Sequence, residues 1–372
     1  MAIRTPAEVF PPGDFLREEL EARGWTQADL AGIIGRDAAM ISQIVQGKRG
    51  ITPETALGLA AAFGTSPEFW MRLEQAYQLG RVKNTGETGI VRRARLYSLA
   101  PIADMVRRGW IEPTDNVDVL EQRLLKFYDV GKLEDSQNVF AHAARKGTCY
   151  DTPSTPAQIA WLVRARNLAR ALEVAPFRSD SVAKALAELR LLIKAPEEGR
   201  HVARVLANNG IRFVIVEPLA GTKIDGACFW IDGSPVIALS VRYNRMDNFW
   251  FTLLHELGHC SQRQVSFDVE LDTRRSNMDK PAEERFADEF ALKSLVEPKD
   301  LDGFIARKRP LYSTQSIIAF ALTKGVHPGI VVGQLQYRGE LKWEYFRKML
   351  VPIRDHVIGS SLVDGWGAHP PA

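Results

Sequence analysis

The five-residue run His255-Glu256-Leu257-Gly258-His259 carries the clearest chemistry in this sequence. On a helix, side chains four residues apart project from the same face, one turn above the other. Two imidazoles at that spacing can bind one tetrahedral Zn²⁺, and the carboxylate of Glu256 would lie close to the water on that ion. The mostly apolar residues 248–254 contain no helix breaker, so we predict that the run lies on a buried helix.

A catalytic zinc site needs a third protein ligand and one position left for water. We assign Glu284 as that ligand, with Glu283 as the fallback. Asp288 follows Glu284 by one helical turn, so both can face the helix of the motif, and Asp288 can accept a hydrogen bond from a ligating imidazole. The competing interpretation is that these carboxylates form a solvated helix face.

Three short apolar runs before the motif have the composition of β-strands, at residues 211–217, 226–231 and 235–240. The turn residues Asp232-Gly233-Ser234 separate the last two runs, which predicts a hairpin. We therefore expect a small antiparallel sheet followed by the ligand-bearing helix. An edge strand of such a sheet can hold an extended peptide.

Residues 247–259 (Asp247-Asn248-Phe249-Trp250-Phe251-Thr252-Leu253-Leu254 and the motif), together with Ala287-Asp288-Glu289-Phe290-Ala291, resemble the ImmA/IrrE family of metallopeptidases. The resemblance covers roughly residues 200–340. It implies a gluzincin-like domain in which two His and a downstream Glu bind zinc and the Glu of the motif is the general base. In this chain those roles would belong to His255, His259, Glu284 and Glu256. The family is associated with cleavage of transcriptional repressors, and its peptidase domain often accompanies a helix-turn-helix.

The reaction implied is hydrolysis of a peptide bond in a protein substrate. Glu256 would take a proton from the attacking water and pass it to the leaving amine. An oxyanion-stabilising group is also expected. Tyr243, Tyr312 and His327 are candidates by chain proximity alone, with packing or a surface position as the alternative for each.

The N-terminal part, over residues 13–79, has the pattern of five short helices. Thr26-Gln27-Ala28-Asp29 is typical of a capping box at the start of the second helix. Gly35 suits the turn that follows, and Asp37 can cap the third helix. This compact helical unit fits a helix-turn-helix.

The same stretch is similar to the XRE, or lambda-repressor-like, class and to its HigA antitoxin branch, through residues 12–20, 47–52 and 63–70. The resemblance implies that the third helix enters the DNA major groove and that Gln27 contacts phosphate. The third helix begins with Ala38-Ala39-Met40, where DNA readers usually carry polar residues. The polar side chains left for DNA contact are Gln43, Gln46, Lys48 and Arg49.

Charge weakens the case for DNA binding by the N-terminal part alone. Residues 1–80 contain seven Lys or Arg against ten Asp or Glu, a net charge of −3, whereas non-specific DNA affinity comes mainly from phosphate neutralisation. Residues 81–112 contain seven basic against three acidic residues, which indicates either a neighbouring phosphate-contacting patch or a solvated face. We still expect DNA binding, with protein docking as the alternative. Dimerisation is expected because helix-turn-helix proteins match two half-sites.

The whole chain, with 372 residues, has room for two or three domains. We divide it into a helix-turn-helix domain (1–80), a helical middle region that is a linker or sensor (81–200), a metallopeptidase domain (201–345) and a C-terminal tail (346–372). The expected fold class is α+β and predominantly α-helical. The sequence has no apolar run of about eighteen residues, so we expect no membrane span. Three widely spaced Cys indicate a reducing cytoplasm.

Two further segments have open interpretations. Residues 313–336 have the pattern of two helices around Gly325, which is either a second helix-turn-helix or packing beneath the active site. The tail from Gly359 is rich in Gly, Ser and Pro and is expected to be mobile. Cys260 is expected to pack in the core, since one helical step turns it away from the ligand face.

These features predict a DNA-binding transcriptional regulator with a zinc-dependent endopeptidase domain that cuts a protein substrate such as a repressor. The alternative is a HigA-like antitoxin or repressor that binds DNA and a protein partner such as a toxin, with a proteolytically silent metal site. Glu256 favours the endopeptidase, because a purely structural zinc site has no need of a general base.

Overall fold

The computed structural model describes residues 10–82, 87–138, 154–269 and 280–364. Contacts between these residues divide the chain into two compact units, with the boundary between Arg93 and Ala94. Each unit has a hydrophobic core of its own, so the two are treated one after the other.

The first unit consists of five helices, as predicted: α1 (Pro12–Arg23), α2 (Gln27–Ile34), α3 (Ala38–Val45), α4 (Pro53–Phe63) and α5 (Pro67–Val82). Thr26 and Asp29 form the capping box at the start of α2. The Asp37 carboxylate accepts a hydrogen bond from the Ala39 N–H and caps α3. Gly35 ends α2 with a φ of 63°, a left-handed conformation that glycine adopts without steric cost.

The core of this unit is formed by side chains that recur at helical spacing on the inner faces of the helices. Leu16, Leu30, Ile41, Leu59 and Trp70 are all fully buried. The Trp70 indole N–H donates a hydrogen bond to Thr65 Oγ1 at 2.8 Å. A buried indole needs such a partner, so the corner between α4 and α5 is held by packing and by a hydrogen bond.

The second unit combines helices with one sheet. Its helices are α6 (Glu87–Leu99, which crosses the boundary), α7 (Ile102–Arg107), α8 (Val117–Tyr128), α9 (Pro156–Arg170), α10 (Ser181–Leu192), α11 (Val202–Asn208), α12 (Met246–Ser261), α13 (Ala282–Leu295), α14 (Pro298–Lys308), α15 (Thr314–Lys324), α16 (Pro328–Tyr337) and α17 (Arg354–Ile358). Short 3₁₀ turns occupy Leu133–Asn138, Pro196–His201 and Arg347–Met349. Its strands are β1 (Arg212–Ile215), β2 (Ile224–Ile231), β3 (Ser234–Leu239), β4 (Ser266–Val269) and β5 (Leu362–Val363).

The sheet has the order β4-β2-β3-β1-β5 and is mixed, whereas the sequence predicted an antiparallel sheet. The predicted hairpin is confirmed, since β2 and β3 pair antiparallel around Asp232 and Gly233, both with positive φ. The hairpin brings β3 back between β2 and β1, and β1 then pairs with β3 in parallel. β5 also pairs with β1 in parallel, and β4 pairs antiparallel with β2. The α+β, mainly helical fold class is confirmed.

The sheet is buried on both faces, because successive side chains along a strand point to opposite sides. On β1, Phe213 and Ile215 belong to the core that contains α12, whereas Val214 belongs to a second core on the other side. On β3, Ile237 and Ala238 alternate in the same way. Both faces therefore need helices to cover them.

Residues 94–200, predicted as most of a separate middle region, provide much of that cover. The second core joins Leu96, Leu124 and Trp161 to the face of the sheet turned away from α12. The Trp161 indole N–H donates to the Val216 carbonyl at 2.7 Å. These helices and the sheet therefore share one core within the second unit, because an apolar sheet face would be exposed without them. The domain division made from the sequence stays a prediction.

The described part of the C-terminal tail contains a helix and a strand. The Val357 side chain of α17 is fully buried, and β5 adds an edge strand to the sheet beside β1. Arg108 lies beside Asp364 at 3.5 Å and donates to the Glu217 and Pro218 carbonyls at 2.7 Å each. Residues 365–372, the rest of the tail predicted to be mobile, lie outside the described residues.

Helices α15 and α16 form the predicted pair around Gly325, whose φ is 66°. Ile330, Val331 and Leu335 of α16 are buried in the core, and the buried Gln334 donates to the Leu292 carbonyl at 3.2 Å. A helix buried in this way packs against α12 and α13 and cannot enter a DNA groove. No single helix among the described ranges is long and apolar enough to cross a membrane, and α15 with α16 passes that test only as a pair bent by 108°.

Candidate metal centre

Helix α12 presents the motif from inside the second unit. Trp250, Leu253, Leu254 and Leu257 are completely buried and anchor the helix in the core. His255 and Glu256 have no exposed surface, and His259 has 1%. Ionisable side chains are rarely buried to this degree without a partner, so these three side chains form a buried polar group on α12.

Helix α13 lies close beside α12 because the motif contains a glycine. A Cβ atom on Gly258 would lie only 3.1 Å from Ala287 Cα and 3.3 Å from Phe290 Cβ, closer than nearly all real Cβ contacts. The close approach brings the first turn of α13, which carries Glu284, next to the imidazoles. Gly258 occupies one of the two variable positions of the motif, and its small size sets the spacing between the two helices.

The described part of the chain holds one group of His, Cys, Asp or Glu side chains fit for a metal ion: His255, His259 and Glu284. The two Nε2 atoms are 3.1 Å apart. The Glu284 carboxylate oxygens lie 3.4 Å from His255 Nε2 and 3.6 Å from His259 Nε2. Glu283, the fallback ligand, is not in this group.

The tautomers of both imidazoles suit a metal. Asp288 Oδ1 lies 3.0 Å from His255 Nδ1, and since a carboxylate only accepts, this Nδ1 carries the proton. Gln264 Oε1 lies 3.0 Å from His259 Nδ1 and accepts in the same way. Both Nε2 atoms are therefore unprotonated acceptors. Two nitrogens at about 2.0–2.1 Å from a tetrahedral zinc ion would be about 3.3 Å apart, so the observed spacing and donor types fit zinc.

Asp288 and Lys280 form a buried charged extension behind His255. Lys280 Nζ lies 2.6 Å from Asp288 Oδ2. Burial favours the protonated acid, but the hydrogen bond from His255 and the ammonium group of Lys280 outweigh it, so the pKa of Asp288 lies below its ordinary value. Burial also disfavours the charged form of Lys280, but the attraction of the Asp288 carboxylate outweighs the effect of burial. The pKa of Lys280 is therefore raised. Asp288 therefore stays ionised and holds the His255 ring.

Gln264 was not identified from the sequence. Its side-chain oxygen accepts the hydrogen bond from His259 Nδ1, and its backbone carbonyl accepts the Trp230 indole N–H at 3.1 Å. Cys228 and Cys260 lie in the core beside it, with their sulfur atoms 3.2 Å apart. Cys260 is 1% exposed, as the packing interpretation predicted. The only sequence signal for Gln264 was a polar residue shortly after the end of a ligand-bearing helix.

Glu256 lies outside the three-ligand group and points toward the sheet. Its Oε2 accepts a hydrogen bond from Ser266 Oγ of β4 at 2.8 Å. The adjacent position on the helix turns its side chain about 100° from that of His255. The Glu256 carboxylate therefore lies beside the group that could hold a metal ion without belonging to it.

The three candidates for oxyanion stabilisation lie in different surroundings. Tyr312 donates to Glu340 Oε2 at 2.9 Å, His327 accepts the Gly329 N–H, and Tyr243 lies under the Arg242 guanidinium. Tyr337 was not identified from the sequence. It lies close enough to Asp288 for that carboxylate to affect its pKa. Burial raises the pKa of Tyr337, and the Asp288 carboxylate adds to that effect.

The residues predicted to contact DNA lie on the first unit. Gln43, Gln46, Lys48 and Arg49 are exposed, and Gln27 is partly exposed at the start of α2. The Lys48 and Arg49 N–H groups both donate to the Gln43 carbonyl, so these three residues are neighbours. Arg36, exposed in the turn before α3, is a further cation that the prediction left out.

Three of the seven basic residues in segment 81–112 contact other protein groups in the described region. Arg95 lies 2.7 Å from Glu134, and Arg107 pairs with Asp104. The Arg108 guanidinium is buried and donates hydrogen bonds to the backbone carbonyls of Glu217 and Pro218. Arg95 and Arg107 stay exposed at the surface, whereas Arg108 is buried, so at least Arg108 does not belong to a phosphate-contacting patch.

Comparison with known families agrees with the two resemblances found in the sequence. Residues 16–70 match the helix-turn-helix family model, and residues 210–313 match the model described as an IrrE N-terminal-like domain. The second match contains the two His, Glu256 and Glu284. The chain belongs to the helix-turn-helix family through its first unit, and its second unit contains the IrrE-like domain.

Curated relatives match the first unit. An uncharacterized HTH-type transcriptional regulator of Escherichia coli is 29% identical over 82 residues, which is 22% of this chain and 87% of the relative. Antitoxin HigA-1 of Vibrio cholerae is 35% identical over 82 residues, 22% of this chain and 74% of the antitoxin. A solved structure of Pseudomonas aeruginosa antitoxin HigA with the higBA promoter is 32% identical, covers 22% of this chain and 91% of that one, and has a TM-score of 0.22.

Proposed function

We propose that this chain is a transcriptional regulator in which a DNA-binding helix-turn-helix is joined to a zinc-dependent endopeptidase. The observation that carries the peptidase part is the convergence of His255, His259 and Glu284, with the buried acid Glu256 beside them. The IrrE-like match over residues 210–313 supports it. A protein substrate such as a repressor fits the resemblance to ImmA/IrrE metallopeptidases.

In this proposal His255, His259 and Glu284 hold the zinc ion. When bound, zinc acts as a Lewis acid on the scissile carbonyl and makes water a stronger nucleophile at neutral pH. Glu256 accepts the proton of the attacking water and delivers it to the leaving amine. Asp288 and Gln264 keep the two imidazoles oriented through their Nδ1 atoms. The burial of the site strengthens each of these polar contacts.

The peptidase proposal is tested with the full chain, loaded with zinc and incubated with a library of peptides from a proteome digest. Wild type should create new peptide ends that mass spectrometry detects, and a chelator should prevent them. Glu256→Gln should bind zinc normally yet lower the rate by at least about 100-fold, because general-base catalysis contributes 10²–10⁴-fold.

Glu284→Gln tests the third ligand and has a close control. It should lower the zinc content measured by elemental analysis, because an anionic ligand becomes a neutral amide. Glu283→Gln changes the neighbouring residue and should leave the zinc content at the wild-type level. Equal cleavage by wild type and Glu256→Gln would contradict the peptidase proposal.

The DNA-binding proposal rests on the helix-turn-helix family match and on the exposed polar side chains of α3 and the following turn. Gln43, Gln46, Lys48 and Arg49 would contact DNA, and Gln27 would contact a phosphate. Two copies of the chain would bind two half-sites, so the proposal includes a homodimer on DNA. The cytoplasmic location remains a prediction from the sequence.

Gel shifts with the promoter of the chain's own gene, at stated salt, test this part. Replacing Gln43 and Lys48 by Ala should weaken binding by about 10-fold or more, since each good base contact contributes 1–3 kcal/mol of discrimination. Glu68→Gln, on α5 and exposed, serves as the control. Unchanged binding by the double variant would contradict the assigned DNA contacts, and no binding by wild type would favour the protein-docking alternative.

The similarity to Antitoxin HigA-1 favours a second candidate, a regulator that binds DNA and a protein partner such as a toxin while its metal site is proteolytically silent. Both candidates predict zinc binding, so zinc content alone does not separate them. A zinc-loaded wild type that binds the promoter and cuts no peptide in the library would select this second candidate.

A further inference from the structure

The carboxylate of Glu256 lies against two neighbouring strands, and this arrangement has a consequence for catalysis. Ser266, the first residue of β4, donates its hydroxyl proton to Glu256 Oε2 at 2.8 Å. Ser266 is 2% exposed and Glu256 is fully buried. A hydrogen bond to a charged group is stronger in such surroundings than at the surface, and water cannot easily replace it.

The direction of that hydrogen bond is set by a second one. Ser266 Oγ accepts the Cys228 backbone N–H at 3.3 Å. The hydroxyl has a single proton, and an ionised carboxylate can only accept, so the proton of Ser266 points to Glu256. Cys228 and Ser266 are directly opposite in the antiparallel β2–β4 pairing, so the strand register places the hydroxyl.

Gly226 shapes the other side of the carboxylate. A Cβ atom on Gly226 would lie 2.3 Å from Glu256 Oε1 and 3.0 Å from its Cδ. A side chain there would therefore force Glu256 to move. Gly226 and Cys228 are two residues apart on β2 and share one face, so the same strand provides both the space and the N–H that orients Ser266.

We infer that Ser266 is a positioning residue for Glu256, and this inference depends on the proposed peptidase function. A general base must lie within hydrogen-bond reach of the proton it takes, and small displacements are costly, about 100-fold for 1 Å. Glu has three side-chain torsions. The Ser266 hydroxyl and the Gly226 backbone hold the end of that side chain in one orientation.

The test compares Ser266→Ala with Ser266→Thr in the zinc-loaded full chain, on the peptide that wild type cuts best. Ser266→Ala should lower kcat about 10- to 100-fold and leave KM and zinc content unchanged, because neither substrate binding nor the ligands are altered. Ser266→Thr keeps the hydroxyl and should restore most of the rate.

Ser240→Ala is the matched control. Ser240, which directly follows β3, is also fully buried, but its hydroxyl donates to the Ile224 carbonyl at 2.6 Å. It should lower thermal stability as Ser266→Ala does and leave kcat within about twofold of wild type. A wild-type kcat in Ser266→Ala, or an equal loss of kcat in both Ala variants, would overturn the inference.

Failure of the proposed function gives a different result. If wild type cuts nothing, the peptidase proposal fails, and crystal structures of zinc-loaded wild type and Ser266→Ala then decide the positioning role. A Glu256 carboxylate that rotates away from its wild-type position in Ser266→Ala supports the inference. A carboxylate in the same place refutes it.

Discussion

The two imidazoles of the site are oriented by acceptors of different charge. His255 donates to an ionised carboxylate that a lysine neutralises, and His259 donates to a neutral amide. Both acceptors select the tautomer that leaves Nε2 for a metal. Asp288 is buried whereas Gln264 is partly exposed, so loss of the Asp288 charge should disturb the site more than loss of the amide.

Asp288→Asn is expected to weaken zinc binding about 10- to 100-fold, the usual effect of losing an oriented hydrogen-bond partner of a ligand. The change keeps the shape of the side chain but removes its charge, and the half-buried Lys280 ammonium group then lacks its counter-ion. Competition with a coloured chelator measures the affinity. Glu289→Gln, on an exposed position of α13, is the control and should bind zinc like wild type.

At the scale of elements, α16 begins with an unusual cap. The His327 Nδ1 atom accepts the Gly329 N–H at 3.0 Å, which only a neutral ring can do. Burial lowers the pKa of His327 below its ordinary value, and the carboxylates of Glu197 and Asp247 oppose that shift only in part. The stabilisation by this cap is therefore complete above the unfolded-state pKa of about 6.5 and is lost as the pH falls through the lower folded-state pKa.

His327→Asn should remove this pH dependence, since Asn caps helices well and does not titrate. Between about pH 7.5 and about pH 5, wild type should lose about 1 kcal/mol more unfolding free energy than the variant, the usual contribution of an N-cap. Urea unfolding of the metal-free protein measures the difference. Parallel stability curves for the two proteins would show that the cap does not titrate in this range.

At the scale of the whole molecule, the two units each contain a completely buried tryptophan with a hydrogen-bonded indole. Trp70 donates to Thr65 in the first unit, and Trp161 donates to Val216 in the second. Because the cores are separate, a cavity in one should not weaken the other. Replacing Trp70 or Trp161 by Ala therefore gives two comparable variants, one for each unit.

Trp70→Ala and Trp161→Ala should each destabilise one unit by about 3–5 kcal/mol, the usual cost of removing a large buried side chain. Calorimetry of the full chain should show two transitions, with a different one shifted in each variant. Trp161→Ala should also reduce zinc retention on heating, because its core includes the sheet beside the metal helix. A common shift of both transitions would mean that the units unfold together.

Features that depend on neighbouring residues were readable from the sequence. The close approach of the His255 and His259 imidazoles follows from helical spacing, and the capping box at Thr26 follows from a pattern four residues long. The hairpin at Asp232 and Gly233 follows from turn chemistry. In each case the interacting residues lie within one helical turn or one β-turn. A short stretch of sequence therefore contains all of them.

Contacts between distant segments required the folded chain. Glu284 approaches the imidazoles because Gly258 lets two helices pack closely, and Ser266 reaches Glu256 because of one register between two strands. The cover that residues 94–200 give to the sheet, and the parallel pairing of β5, likewise join segments far apart in the chain. Such contacts depend on how whole elements pack against one another, and no local periodicity encodes that packing.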